Sequence, residues 1–509
     1  MELLKLTEDA IKDFDNKIII CFEKSSYLQE LCEKYDVTVH AVIDNNMNKH
    51  GEVLLGKTMV PVAGVDYLNE VNMDDCEIII TGDYYRESFR YLSDIDNIRM
   101  AKDKIYYFAN RETETEEEYR AKYRDCELEN IIIFRSGPHI TEYIHGMDFA
   151  DNAKALFEYM LERGYNEKYE LIWFVKNPDE FVKYTGYSNV SFIALEWSLS
   201  DDKDKRDEYY RALCLAKYIF FTDAYGIARN AREDQIRIQL WHGCGFKTRL
   251  NFTPCRDRYE YMTVTGDVYA KIHKELFGLN DNQLLITGNA KVDWLFNDNV
   301  NKYFEMLGIK NSNKYIFWLP TFRQGADILN QNNGYAIDGE TGLPVVDNQA
   351  KMEKLNNFLS DNNVMMIIKL HPFQKRECIK QESLSNIVFL DNSRLDELGI
   401  HINHMLGKAD ALISDYSSVA VDFLALNRPM AFVLEDVEKY EIKRGFIFED
   451  IVGNMPGKDI YSFDDFYGFV EEISKGLDLT SEKREHLRTG MLRYMDGNNC
   501  QRIIDALGI

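Results

Sequence analysis

The chain has 509 residues, 45% of them hydrophobic and 28% charged, and its 60 basic and 85 acidic side chains leave a formal net charge of −25. That length accommodates two to four domains with buried cores. The charge excludes broad nucleic-acid binding, which needs many Lys and Arg contacts to phosphates, and disfavours a purely electrostatic hold on anionic lipid, while a local basic cleft stays compatible with it.

Residues 1–110 are expected to form a small Rossmann-like α/β domain. Apolar runs at 17–22, 37–44 and 77–81 predict strands, with a helix at 28–35, and strands alternating with helices imply a parallel sheet. The second run ends in Asp44, as in nucleotide-binding units. The turn after the first, Glu23-Lys24-Ser25-Ser26, lacks the glycines that let a backbone approach a pyrophosphate. A docking or regulatory role is therefore expected. Residues 111–129 read as a linker, and the charge run at 111–118 predicts the solvated start of a helix, not a binding tail. Strand-like runs at 130–134, 171–175, 218–222 and 236–241, with helical patterns such as 153–163 between them, predict one doubly wound half over 130–305. Runs at 315–319, 364–370, 386–390, 409–413 and 429–433, followed by helices from about 464, predict a second half over 306–509. Two such halves facing each other across a cleft would be the GT-B arrangement. No apolar run is long enough to span a bilayer and no secretory leader is evident at 1–9, so a cytosolic chain is expected.

In open parallel sheets, ligands bind outside the carboxyl ends of the strands, and here several predicted strands end in polar chemistry. The 236–241 run leads into His242 and Gly243. A positioned imidazole can take a proton from an attacking hydroxyl, and a glycine admits close approach of a ligand. A capped core histidine is the plain alternative. Lys247 and Arg249 follow and suit an anionic acceptor, or are ordinary solvated charge. Pro320-Thr321-Phe322-Arg323 places a hydroxyl and a phosphate-binding guanidinium at a strand end. Lys369-Leu370-His371-Pro372 pairs a cation with a second histidine. Ser417 and Ser418 in Ser414-Asp415-Tyr416-Ser417-Ser418 are suited to cap a helix whose first N–H groups hold an anion. The nine scattered cysteines contain no Cys-x-x-Cys pair and read as reduced thiols. Cys244, beside His242, is the one candidate nucleophile among them.

Taken jointly, these residues resemble the CDP-glycerol glycerophosphotransferase family, the teichoic-acid primases and polymerases of bacteria. The marks are Gln239-Leu240-Trp241-His242-Gly243 with Lys247, Thr287-Gly288-Asn289 ending in Asp293, Pro320-Thr321-Phe322-Arg323, Lys369-Leu370-His371-Pro372, Asp415-Tyr416-Ser417-Ser418 with Asp422, and Tyr440 with Arg444-Gly445-Phe446. They span roughly residues 130–470. The resemblance implies a GT-B fold whose halves at 130–305 and 306–509 serve acceptor and donor. It implies transfer of glycerol phosphate or ribitol phosphate from CDP-glycerol or CDP-ribitol to a lipid-linked or polymeric hydroxyl. Teichoic acid or capsular glycan synthesis is the expected setting, with no cofactor and no metal required. Peripheral contact with the cytoplasmic face of the membrane is implied, and nucleic acid is not an expected partner. His242 matches the family's proposed base and His371 its second essential histidine. Thr321, Arg323, Lys369, Asp415, Ser417, Ser418 and Asp422 form the candidate donor set, and Gly243, Lys247 and Arg249 the acceptor set. Cys244-Gly245-Phe246 and Ala290-Lys291-Val292 depart from the family's usual residues, which bears on the acceptor more than on the reaction. The N-terminal region, with Asp44 and the stretch 51–61, resembles small N-terminal domains of some bacterial sugar-modifying enzymes. A nucleotide-sugar glycosyltransferase of the same fold, and a scaffold protein keeping a relic cleft, are the competing classes.

Overall fold

Runs of Ile, Val and Phe without polar alternation suit strands covered on both faces, which is how parallel sheets are used. In the computed structural model, which describes residues 1–14, 17–45, 49–82, 84–137, 148–184, 186–222, 225–247, 259–321, 339–370 and 384–509, such runs build three sheets among those residues.

The first sheet holds β1 (Glu2–Lys5), β2 (Ile18–Phe22), β3 (Ala41–Ile43), β4 (Gly51–Leu55), β5 (Thr58–Ala63), β6 (Cys76–Ile80) and β7 (Lys104–Tyr107), in the order β1-β7-β6-β2-β3-β5-β4. The β4–β5 hairpin is antiparallel and the remaining pairs are parallel. Strand order reverses between β2 and β6, the place where doubly wound sheets take nucleotides. There Glu23, at φ 74°, folds its side chain over Gly82, so closely that a Cβ on Gly82 would collide with the carboxylate. Ser88 Oγ donates to Glu23 Oε1 at 2.5 Å. The Glu23 carboxylate thus lies at the mouth of this crevice, between Gly82 and Ser88.

Helix Arg111–Lys122 leads out of this domain, with Asn110 Oδ1 accepting from Thr113 N at 2.8 Å as its cap. Arg111, Glu114 and Glu118 of its charge run are exposed as expected, but Glu116 is 4% exposed, and Arg120, just beyond the run, 7%. The helix is wedged against the next domain, where Arg120 Nε donates to Glu116 Oε1 at 2.7 Å and Arg229 Nε to Glu116 Oε2 at 3.2 Å. Burial alone would raise the Glu116 carboxyl, and the two guanidiniums outweigh it, leaving it below its ordinary value.

The second sheet is parallel throughout. It comprises β8 (Glu129–Ser136), β9 (Glu170–Val175), β10 (Val190–Ala194), β11 (Ala216–Thr222), β12 (Ile236–Gln239), β13 (Tyr261–Val264) and β14 (Leu284–Ile286), ordered β10-β9-β8-β11-β12-β13-β14. Phe134 stacks on Trp173 and Phe220 at centroid distances of 5.6 and 5.5 Å to form one face of its core. The third sheet is also parallel, with β15 (Lys314–Trp318), β16 (Val364–Ile368), β17 (Ile387–Phe389), β18 (Ala411–Ser414), β19 (Met430–Val433) and β20 (Lys458–Ile460) ordered β17-β16-β15-β18-β19-β20. Order reverses at β8/β11 and at β15/β18, so both sheets are doubly wound. The architecture is GT-B-like, preceded by a small α/β domain.

One boundary differs from expectation. The last helix, Asn499–Leu507, does not stay with the third sheet. It crosses back and packs Cys500, Ile503 and Ile504 into the core of the second. Asp293 fixes it there, its carboxylate accepting from the N–H groups of Asn499 and Cys500 at 2.9 and 2.8 Å. Among the described residues no helix is long and apolar enough to cross a membrane.

Candidate active site between the second and third sheets

β12 ends at Gln239, and the chain turns sharply through Trp241 (φ 53°) and Gly243 (φ 136°). Buried side-chain amides hold this turn. Asn152, fully buried at the start of helix Asp151–Glu162, donates to the carbonyls of Leu240 and Trp241 at 3.2 and 2.8 Å. Gln239 Oε1 accepts from Trp241 N at 2.8 Å. The Trp241 ring lies against the His242 imidazole, centroids 4.1 Å apart. His242 is thereby presented, exposed, at a strand's carboxyl end.

The third sheet answers from the opposite side with Thr321 after β15, Lys369 after β16 and Ser417–Ser418 after β18. The two halves touch. A Cβ at Gly243 would lie 2.9 Å from Ser418 Oγ, and one at Gly245 3.1 Å from Ser418 Cβ. Lys247 forms an antiparallel bridge with Phe446, and Ile447 N donates to Phe246 O at 3.0 Å. These segments enclose a cleft of about 480 Å³ whose walls include His242, Lys247, Thr321, Lys369, Ser417 and Ser418.

Cations, hydroxyls and two histidines line the walls among apolar side chains, and carboxylates stand behind them. Asp415, fully buried, accepts from Thr321 N at 2.6 Å and from the Thr321 hydroxyl. Asp422 is 1% exposed and accepts from Asn289 Nδ2 at 3.1 Å, with Lys291 Nζ at 3.7 Å. Burial pushes its carboxyl up, against the pull of Lys291 and Asn289. Both aspartates belong to the expected donor set, yet they shape the wall rather than form it. The distribution suits a polyanionic ligand, because opposite charge faces it and like charge is set back.

Two expectations fail locally. Ser418 is in αR geometry (φ −63°) and makes no side-chain capping bond, while Ser417 Oγ accepts from Val419 N only at 3.5 Å. The helix they precede runs only from Val419 to Phe423, so an anion there would lean on hydroxyls and individual N–H groups rather than on a long dipole. Cys244 is 1% exposed, and burial pushes its thiol up to about 12. Such a thiol carries no thiolate at neutral pH, which removes it as a nucleophile. Arg249, Arg323 and His371 lie outside the described residues.

The sequence model of CDP-glycerol:poly(glycerophosphate) glycerophosphotransferases matches residues 128–508. The chain belongs to this family. Membership makes it a transferase, and the match starts where the second sheet starts, leaving the N-terminal domain outside. The teichoic acid glycerol-phosphate primase of Bacillus subtilis is 28% identical over 386 residues, 71% of this chain and 90% of the primase. The teichoic acid poly(glycerol phosphate) polymerase of Staphylococcus epidermidis is 23% identical over 503 residues, 94% of this chain and 61% of the polymerase. The chain thus spans most of that primase and under two thirds of that polymerase. A solved structure of the wall teichoic acid polymerase TagF superposes with a TM-score of 0.59 at 19% identity, covering 84% of this chain and 97% of that one, which supports the shared fold.

Sequence reasoning missed several contributors. Asp151 and Asn152 sit at a helix start, and no local pattern marks them, because their partners lie about ninety to 140 residues away. His273, on helix Asp267–Phe277, also lines the cleft. It is 4% exposed, and burial pushes its imidazole down to about 3, so it is neutral at physiological pH. Asp293, a family-motif residue, serves the last helix rather than the cleft.

Proposed function

We propose that the chain moves glycerol phosphate or ribitol phosphate from the matching CDP-polyol to a hydroxyl of a lipid-linked saccharide or polyol-phosphate polymer, in the synthesis of teichoic acid or a related surface glycan. The supporting observation is that His242 and Lys247 share one cleft with Thr321, Lys369 and the two serines. The acceptor oxygen attacks the β-phosphorus, the bond from that phosphorus to the bridging oxygen breaks, and CMP departs with the bonding pair. His242 takes the hydroxyl proton. Lys369 and the hydroxyls of Thr321, Ser417 and Ser418 stabilise charge on the phosphoryl oxygens; positioning and electrostatics are what phosphoryl transfer chiefly requires. On sequence alone, Arg323 joins the phosphate contacts and His371 the leaving group. In this reading the second sheet carries the acceptor and the third the donor, no metal takes a step, and the chain works peripherally at the cytoplasmic membrane face. The N-terminal domain acts as a docking or regulatory module.

The test is a donor panel of CDP-glycerol, CDP-ribitol and UDP-sugars with lipid-linked and polyol-phosphate acceptors, products identified by mass spectrometry. CMP release with an acceptor gaining one polyol phosphate is expected. Sugar transfer with release of a nucleoside diphosphate would assign a glycosyltransferase instead.

A further inference from the structure

Lys291 lies on the segment Ala290–Phe296, away from the cleft surface, with its side chain 7% exposed. Its ammonium reaches three oxygens of different origin. Nζ donates to the His242 carbonyl at 2.6 Å, pairs with Asp151 Oδ1 at 2.8 Å, and stands 3.7 Å from Asp422 Oδ2 on the helix that follows Ser418. Its backbone is fixed as well: Lys291 N donates to Asn152 Oδ1 at 3.0 Å, and Asn403 Nδ2, from the third-sheet half, donates to Lys291 O at 3.3 Å. Burial alone would depress the ammonium, and Asp151 and Asp422 outweigh it, keeping the group cationic. A Cβ on Gly243 would lie 3.7 Å from Nζ and 2.9 Å from Ser418 Oγ. The ammonium therefore sits directly behind the point where the histidine turn meets the serine turn.

An ordinary structural ion pair would tie one carboxylate to one cation. This one ties a backbone carbonyl of the histidine turn to carboxylates from both halves, and an ammonium has three donors to spend on three directions. We propose that Lys291 is a positioning residue: it sets the register of His242 against the Ser417–Ser418 turn, and it acts on alignment of the reacting groups rather than on donor affinity. Without it the His242 carbonyl loses its buried donor and Asp151 and Asp422 face each other without the cation between them. A misplacement of about 1 Å between reacting groups costs on the order of a hundredfold in rate.

The kinetic part rests on the phosphotransferase reading, so the test has two arms. With CDP-glycerol, Lys291→Met is expected to lower kcat about a hundredfold while the donor dissociation constant, by calorimetry, moves less than about threefold. Asp422→Asn, which keeps shape and removes one arm, should lower kcat about tenfold by the same misalignment argument and carries the test if Lys291→Met does not fold. A kcat within about threefold of wild type in the folded variant, or an equal loss of donor affinity, overturns the proposal. The second arm needs no turnover: amide exchange in Lys291→Met should accelerate at residues 240–246 and stay unchanged in the first sheet. If the wild type turns over no CDP-polyol, the functional reading falls, and unchanged exchange at 240–246 would separately overturn the role of Lys291.

Discussion

Gly243→Ala probes the juxtaposition on which the site depends. At φ 136° an L side chain is strained whatever the space around it, and such backbone strain costs roughly 1–3 kcal/mol. The added methyl also has nowhere to go. It would lie 2.9 Å from Ser418 Oγ and 3.0 Å from Ser418 Cβ, closer than carbon and oxygen approach without displacement. Either the histidine turn unbends or the serine turn retreats, and each separates the two walls of the cleft. The expected result is a melting midpoint lowered by about 1–3 °C, at roughly 1 °C per kcal/mol for a chain this long, and CMP release slowed on the order of a hundredfold. Gly308→Ala is the control: its φ is 64° and nothing lies within 4 Å of the added Cβ. That variant should lose stability through strain and keep its rate. Differential scanning calorimetry and a coupled CMP assay read both. A Gly243→Ala protein with wild-type melting and wild-type turnover would refute the claim that these turns abut.

His242→Ala should keep the fold, because the side chain is exposed, and lose about a hundred- to ten-thousand-fold in CMP release, the usual contribution of a general base; near-normal release removes the role. Asp415→Asn takes away the carboxylate that accepts both the N–H and the hydroxyl of Thr321, so chemical denaturation should show a loss of about 1.5–3 kcal/mol, typical for a hydrogen bond to a charged group. His273 and His404 are held down to about 3 by burial. The unfolded chain takes up protons below about pH 6.5 that the folded one refuses, so stability falls as pH drops from there toward 3, by about 1.4 kcal/mol per pH unit for each imidazole. Asp293, raised to about 6 by burial, works in the opposite sense, and comparing wild type with His273→Phe cancels it: the variant's urea midpoint should depend less on pH between 7 and 5. Excess EDTA should leave CMP release within about twofold, since lysines and hydroxyls are assigned the charge stabilisation.

The two halves were legible in the sequence because strands such as β9, β11 and β16 are covered on both faces and therefore appear as uninterrupted apolar runs. Partly exposed strands such as β10 and β14 carry no such run and were not anticipated. The histidine turn, Thr321, Lys369 and the serines were readable because ligand chemistry gathers at strand ends. What lies behind them was not. Glu116 looks solvated in a run of glutamates until Arg229 arrives from more than a hundred residues away. Lys291 drew notice only as a departure from a motif, since its partners come from residues 151, 242 and 422. Local sequence signals which groups are polar; only the tertiary fold decides which of them become neighbours.

The return of the last helix has a mechanical consequence. The chain leaves the second-sheet half after Phe296 and comes back before Asn499, and the two crossings run side by side: a Cβ on Gly497 would touch the Phe296 ring at 2.8 Å, and Asp293 grips the returning helix. Both covalent connections therefore share a single spine. With both connections along one edge, any opening of the cleft would pivot about residues 293–297 and 497–500, and the edge away from them would move furthest.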